Sequence, residues 1–151
     1  MPASLACGFA ATTICSRAVV GSSACAIAVA LTGLPVDQLC GEADGAAAGR
    51  PAARAELVRK AVERASPDPD DAVGLLAEYG GLEMAALTGV CLAAAADKVP
   101  VLLDGVVSTA AGMMAVKLAP ATRSYLIASH EAAVAAHGAL LGELGLEPLL
   151  R

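Results

Sequence analysis

Two short apolar runs separated by a longer one dominate the second half of the chain. Val99-Pro100-Val101-Leu102-Leu103 is apolar at every position, without polar alternation. Such a run predicts a strand buried on both faces of a sheet. It ends at Asp104-Gly105, and residues 107–118 then have the length and composition of a helix stopped near Pro120. Ser124-Tyr125-Leu126-Ile127-Ala128 is the second strand-like run, ending at Ser129-His130, and residues 131–144 predict a last helix closing on Gly145. Strand, helix, strand, helix in this order predicts a parallel βαβα unit with a right-handed crossover.

The first half is helical in pattern. Ser22 or Ser23 is positioned to cap a helix running to about Thr32, with Gly33 at its end and Pro35 beyond. The Gly/Ala stretch CGEADGAAAGRPAA, residues 40–53, reads as a loop, followed by a helix over about 53–65. Pro67 to Asp71 make a turn from which Asp70 or Asp71 caps a short helix to about Tyr79. Gly80-Gly81 breaks it, and another helix spans about 82–96. Residues 1–18 show no clear period; residues 1–22 are expected to be irregular, with residues 23–151 forming the folded core. The expected class is α/β, a three-layer αβα arrangement on a parallel sheet, Rossmann-like and partial.

Composition supports one domain. The chain has 151 residues, 57% of them hydrophobic, yet only one Phe, two Tyr and no Trp. A core of small aliphatic residues needs closely approaching backbones, hence helices packed tightly on a sheet. The net charge of −5, with no basic stripe interleaved with aromatics, argues against nucleic acid as a partner. Five cysteines, Cys7, Cys15, Cys25, Cys40 and Cys91, form no CxxC and no zinc spacing, so reduced buried thiols are expected. The apolar stretch over residues 24–34 is too short to span a bilayer, and residues 1–15 lack the basic region of a signal peptide. No membrane partner and a cytoplasmic location are expected.

In parallel sheets, ligands sit beyond the carboxyl ends of the strands. That singles out Asp104, Gly105 and Ser108 after the first strand, and Ser129 and His130 after the second. A helix predicted after each offers free N–H groups to an anion such as phosphate. Asp104 could accept from ribose hydroxyls or cap its helix; Ser108 could bind phosphate or satisfy its own turn. His130 could serve in acid–base chemistry or make structural hydrogen bonds; His137 is expected at the surface or in an interface. Gly80 and Gly81 could approach a phosphate or end a helix, and Glu83 could be a base or a solvated first-turn carboxylate. There is no P-loop, GxGxxG, GxSxG or HExxH.

The strings GGLEMAALTG, VPVLLDGVVSTAA, LAPATRSYLIASHEA and LGLEPLL, in this order over residues 80–150, resemble the nicotinate-nucleotide–dimethylbenzimidazole phosphoribosyltransferases. The resemblance implies transfer of phosphoribose from nicotinate mononucleotide to a benzimidazole base in cobalamin lower-ligand assembly. It implies small-molecule substrates, no metal, no cofactor and a homodimer. It would place Gly80, Gly81, Asp104, Gly105, Ser108, Ser129 and His130 along the nucleotide crevice, with Lys60 also among the substrate-binding residues. Ser129, His130 and His137 match the family's SHxSAExGH segment, although Ala132, Val134 and Ala136 replace its second Ser, its Glu and its Gly.

Other segments depart from the family. Its GEMGIGNTT falls on ICSRAVVGS, residues 14–22, and its glycine-rich GxGTG segment falls on CGEADG, keeping Gly41 and Gly45 only loosely. Its phosphate-binding Lys lies two residues before Lys60; two residues turn a helix by about 200°, which would aim Lys60 elsewhere. Its catalytic Glu belongs to a GEGTG segment past Arg151, so no catalytic residue is assigned. Resemblance is good from Ala24 on and collapses before it, the pattern expected of a truncated or frame-shifted reading frame. Three readings follow: an incomplete form of the transferase; a non-catalytic homologue or partner subunit that binds nucleotide or benzimidazole; or an inactive structural remnant.

Overall fold

The structure, a computed structural model, describes residues 17–40 and 50–150. The expectations for residues 1–16 and for Gly41, Gly45, Cys7 and Cys15 lie outside them. Seven α-helices and two strands are described: α1 Arg17–Thr32, α2 Val36–Leu39, α3 Arg50–Arg64, α4 Ala72–Leu75, α5 Gly81–Ala96, β1 Val101–Leu103, α6 Val106–Leu118, β2 Leu126–Ala128 and α7 Ala135–Leu144. A π-turn, Leu76–Gly80, joins α4 to α5, and a 3₁₀ turn, Pro120–Tyr125, precedes β2.

The two strands pair in parallel, in the register Val101↔Leu126, Leu102↔Ile127 and Leu103↔Ala128. The connection between them runs through α6, and the molecule is a mostly helical, partial α/β domain with a small parallel sheet. The chain returns after α7 so that Leu150 pairs in parallel with His130 on the far side of β2. Leu150 N donates to Ser129 O at 3.0 Å, and Glu131 N donates to Leu150 O at 3.2 Å.

Two helices make the core. Ala24 to Ala28 in α1 are consecutively buried, as are Thr109 to Ala115 in α6. A helix buried all round needs no amphipathic stripe. The small residues on both let neighbours approach from every side: α1 packs against α3, α6 and α7, and α6 packs against α1, α5, α7 and β1. Ile27, Leu75, Met84, Leu103, Met114 and Leu140 are fully buried, each worth roughly 1.5–3 kcal/mol.

Several predicted boundaries move. α1 begins at Arg17, so Ser22 and Ser23 lie inside the helix rather than capping it. Ser124 and Tyr125 belong to the 3₁₀ turn that Pro120 opens, and β2 starts only at Leu126. The last helix starts at Ala135 rather than at residue 131, because residues 131–134 form a loop tied down by a side chain described below.

Nor are the strands buried on both faces. Leu102 is 60% and Ile127 39% exposed, while Leu103, Leu126 and Ala128 on the opposite face are buried. Within the described residues, helices cover one face of this sheet. The 25-residue helical run Ala72–Ala96 is long and apolar enough to cross a membrane. Here Leu75, Tyr79, Met84, Thr88 and Cys91 along it point into the core.

Two helix ends follow the sequence reading closely. Gly33 and Gly145 adopt φ of 67° and 60°, the left-handed conformation that glycine supplies at low cost. At the end of α7, Arg123 Nε and a terminal guanidinium nitrogen donate to the carbonyls of Leu144 and Gly145. A cation at a helix C-terminus also complements its dipole.

Candidate functional site

The strand pairing creates the site. Leu103 and Ala128 are register partners, so the residues that follow them, Asp104 and Ser129, leave the sheet side by side; Ser129 N donates to Leu103 O at 2.9 Å. His130 Nδ1 stands 2.9 Å from Ser129 Oγ and 3.8 Å from Asp104 Oδ1. The Asp104 side chain is 95% exposed and that of His130 40% exposed, so both are open to an incoming ligand.

Ser108 turns its hydroxyl onto the backbone of this corner. Its hydroxyl oxygen accepts from Asp104 N at 2.9 Å and Gly105 N at 3.0 Å, and its proton goes to Gly105 O at 3.0 Å. Three hydrogen bonds occupy the group fully. Ser108 therefore shapes the Asp104-Gly105 corner. Asp104 does not cap α6: the cap position is Gly105, with no side-chain cap from Asp104.

The other predicted residues lie elsewhere. Gly80 is buried at the junction of the π-turn and α5, where an added Cβ would come within 2.9 Å of Leu76 Cδ2 and 3.3 Å of Met84 Cβ. Gly81 donates its N–H to Leu76 O and has φ of 69°, so the helix-junction role accounts for the pair. Lys60 is 69% exposed and pairs with Glu56 at 3.3 Å. Val58, two residues earlier on α3, is 1% exposed and lines a cavity of about 240 Å³ with Ser22, Ser23, Leu57 and Tyr79. The inward-facing position on this helix thus carries an apolar side chain.

The anion site predicted at a second helix start, directly after Ser129-His130, does not form, since α7 begins five residues after His130. The most consequential correction concerns His137. It is fully buried, not at the surface. Its Nε2 lies 3.0 Å from Thr109 Oγ1 on α6, and its Nδ1 accepts from Ala132 N at 2.9 Å. Its ring meets that of His130 edge-on at 6.0 Å. Burial first, and then the neighbouring His130, push the His137 pKa below the ordinary histidine value against the pull of Glu131 and Asp104. The available signal was its setting in AAHGALLGEL, whose single charged residue is Glu143.

Cys25, Cys40 and Cys91 are free and buried. Among the described residues no three His, Cys, Asp or Glu side chains gather to hold a metal ion.

A family model described as phosphoribosyltransferase matches residues 18–151. The nicotinate-nucleotide–dimethylbenzimidazole phosphoribosyltransferase of Desulforudis audaxviator is 46% identical over 125 residues, 83% of this chain and 35% of that protein. The chain belongs to this phosphoribosyltransferase family. The enzyme of the same name from Chloroflexus aurantiacus is 39% identical over 129 residues, 85% of this chain and 37% of its own length. The crystal structure of the Thermus thermophilus enzyme superposes with a TM-score of 0.75 at 33% identity, covering 86% of this chain and 38% of that one. The chain thus spans little more than a third of the length of the relatives it matches.

Proposed function

We propose that this chain forms the nucleotide-facing part of an enzyme that transfers phosphoribose from nicotinate mononucleotide to dimethylbenzimidazole, giving α-ribazole phosphate. The observation that carries the reading is the juxtaposition of Asp104 and His130 at the ends of paired parallel strands, open to solvent. In this reading Asp104 accepts from the ribose hydroxyls. Gly105, Ser129 and His130 line the same crevice, and Ser108 holds the corner in shape. Gly80, Gly81 and Lys60 have no direct part. The benzimidazole nitrogen attacks the anomeric carbon as the bond to nicotinate breaks, the bond pair returning to the pyridine nitrogen. A base takes the benzimidazole N–H proton, and positioning supplies much of the rate. The reading brings with it small-molecule substrates, a cytoplasmic location and a homodimer, for which the uncovered apolar face at Leu102 and Ile127 is suggestive support.

Titration with nicotinate mononucleotide, followed by a transfer assay with dimethylbenzimidazole, tests it. Binding that Asp104→Ala weakens about tenfold or more, the scale of a lost hydrogen bond to a charged group, supports the crevice. Transfer in addition assigns the whole activity to this chain, and binding without transfer assigns it the nucleotide half alone. No binding at millimolar nucleotide would overturn the reading.

A further inference from the structure

The crevice residues sit above a buried ring that joins both of the segments carrying them. His137 reaches back from the first turn of α7 to Ala132 in the preceding loop, and across to Thr109 in the first turns of α6. The Ala132 amide can only donate, so Nδ1 must offer its lone pair. A neutral ring then carries its proton on Nε2 and donates it to Thr109 Oγ1. An imidazolium has no lone pair; protonation at Nδ1 would set N–H against N–H at Ala132, on a ring that is itself fully buried.

We propose that His137 is the positioning residue of the crevice, a neutral, Nε2-protonated clasp that holds the 129–134 loop, and with it His130, against the Asp104 corner, and that lets the loop go when it is protonated. The charged groups around the ring are His130 and Glu131 on the loop and Asp104 beyond β1. His130, when charged, opposes a second positive charge at 6.0 Å, while the two carboxylates favour one. Burial tips the balance to the neutral ring, and α6 contributes the uncharged Thr109. The consequence for ligand affinity rests on the nucleotide reading above; the clasp itself rests on the two hydrogen bonds.

The chain has two histidines, so nitrogen–carbon correlation spectra of the imidazole rings resolve both without mutation. The expected result on the intact chain is a His137 ring locked as the Nε2–H tautomer. A His137 ring that shows the Nδ1–H tautomer overturns the clasp whether or not nucleotide binds. Two variants then separate loop positioning from bulk packing. His137→Asn places an oxygen where Nδ1 stands and keeps the Ala132 bond; His137→Gln places its amide nearer Thr109 and loses that bond. Nicotinate mononucleotide affinity should stay near the parent's in His137→Asn and fall about tenfold in His137→Gln, one hydrogen bond's worth. Equal affinities in the two variants, or a greater loss in His137→Asn, would overturn the positioning role. If the parent binds no nucleotide, the functional reading fails, and the tautomer spectrum still decides the clasp.

Discussion

Gly112 on α6 lies so close over Leu103 on β1 that an added Cβ would stand 3.3 Å from both Leu103 methyl carbons, and 3.2 Å from Leu126 Cδ1. Both leucines are buried and have little room to yield. Two opposing effects meet in Gly112→Ala: about 1 kcal/mol of helix propensity gained, and a similar cost of overpacking. The expected net change is near zero. Gly112→Val adds two methyl carbons beyond that Cβ and loses most of the propensity gain, so it should destabilise by about 2 kcal/mol. Urea unfolding checks both; a valine variant as stable as the parent would show that α6 does not rest on the sheet.

His137 makes stability depend on pH with a definite sign. Its pKa is lowered in the folded chain, whereas the unfolded ring titrates near 6.5. Between those values the unfolded state binds more protons, so stability rises with pH there. On acidification the loss begins near pH 6.5 and grows until the folded-state ring itself titrates. Urea midpoints at pH 7.5 and about 5.5, above the range of ordinary carboxylates, should differ, with the lower at pH 5.5. His137→Asn should flatten that difference.

Asp71 and Gly74 are coupled at the start of α4. Asp71 Oδ1 accepts from Val73 N at 3.1 Å and Gly74 N at 3.0 Å. Asp71→Ala should cost about 1 kcal/mol, and Asp71→Asn much less. A Cβ at Gly74 would come within 2.6 Å of Asp71 Oδ2, so Gly74→Ala displaces the cap despite its better propensity. Combined with Asp71→Ala, the same Gly74→Ala change should become stabilising. Thermal unfolding of the four-member cycle reads this non-additivity.

Lys98 holds φ of 59° in the turn between α5 and β1. A left-handed conformation costs an ordinary L-residue roughly 1–2 kcal/mol. Lys98→Gly relieves that cost but gives the unfolded chain more freedom, so the expected net gain is about 0.5–1 kcal/mol in urea unfolding. A loss of stability would mean that the lysine side chain compensates for its backbone.

Features written in local chemistry were legible. The runs around Leu102 and Ile127 read as strands because an apolar run between turn residues has few other uses, and Gly33, Asp71 and Gly145 marked helix ends through their own backbone or side-chain preferences. The start of α1 was not legible, since a helix buried all round has no stripe to show where it begins. Ser124 was misread because apolar neighbours outweighed the effect of Pro120. Of the candidate site, Asp104, Ser129 and His130 were found from strand-end logic. The local sequence around Ser108 fits two roles, and its three hydrogen bonds decide for the structural one.

The sequence by itself determined the order of strands and helices, the family, and which residues follow the two strands, because each of these depends on neighbours in the chain or on a motif. Which face of the sheet is covered, where Lys60 and Val58 point, and what His137 does depend on contacts between distant segments. Thr109 and His137 are 28 residues apart and meet only after β1 and β2 have paired. Nothing in either local sequence specifies that meeting; the buried ring acquires its tautomer and its task from the fold.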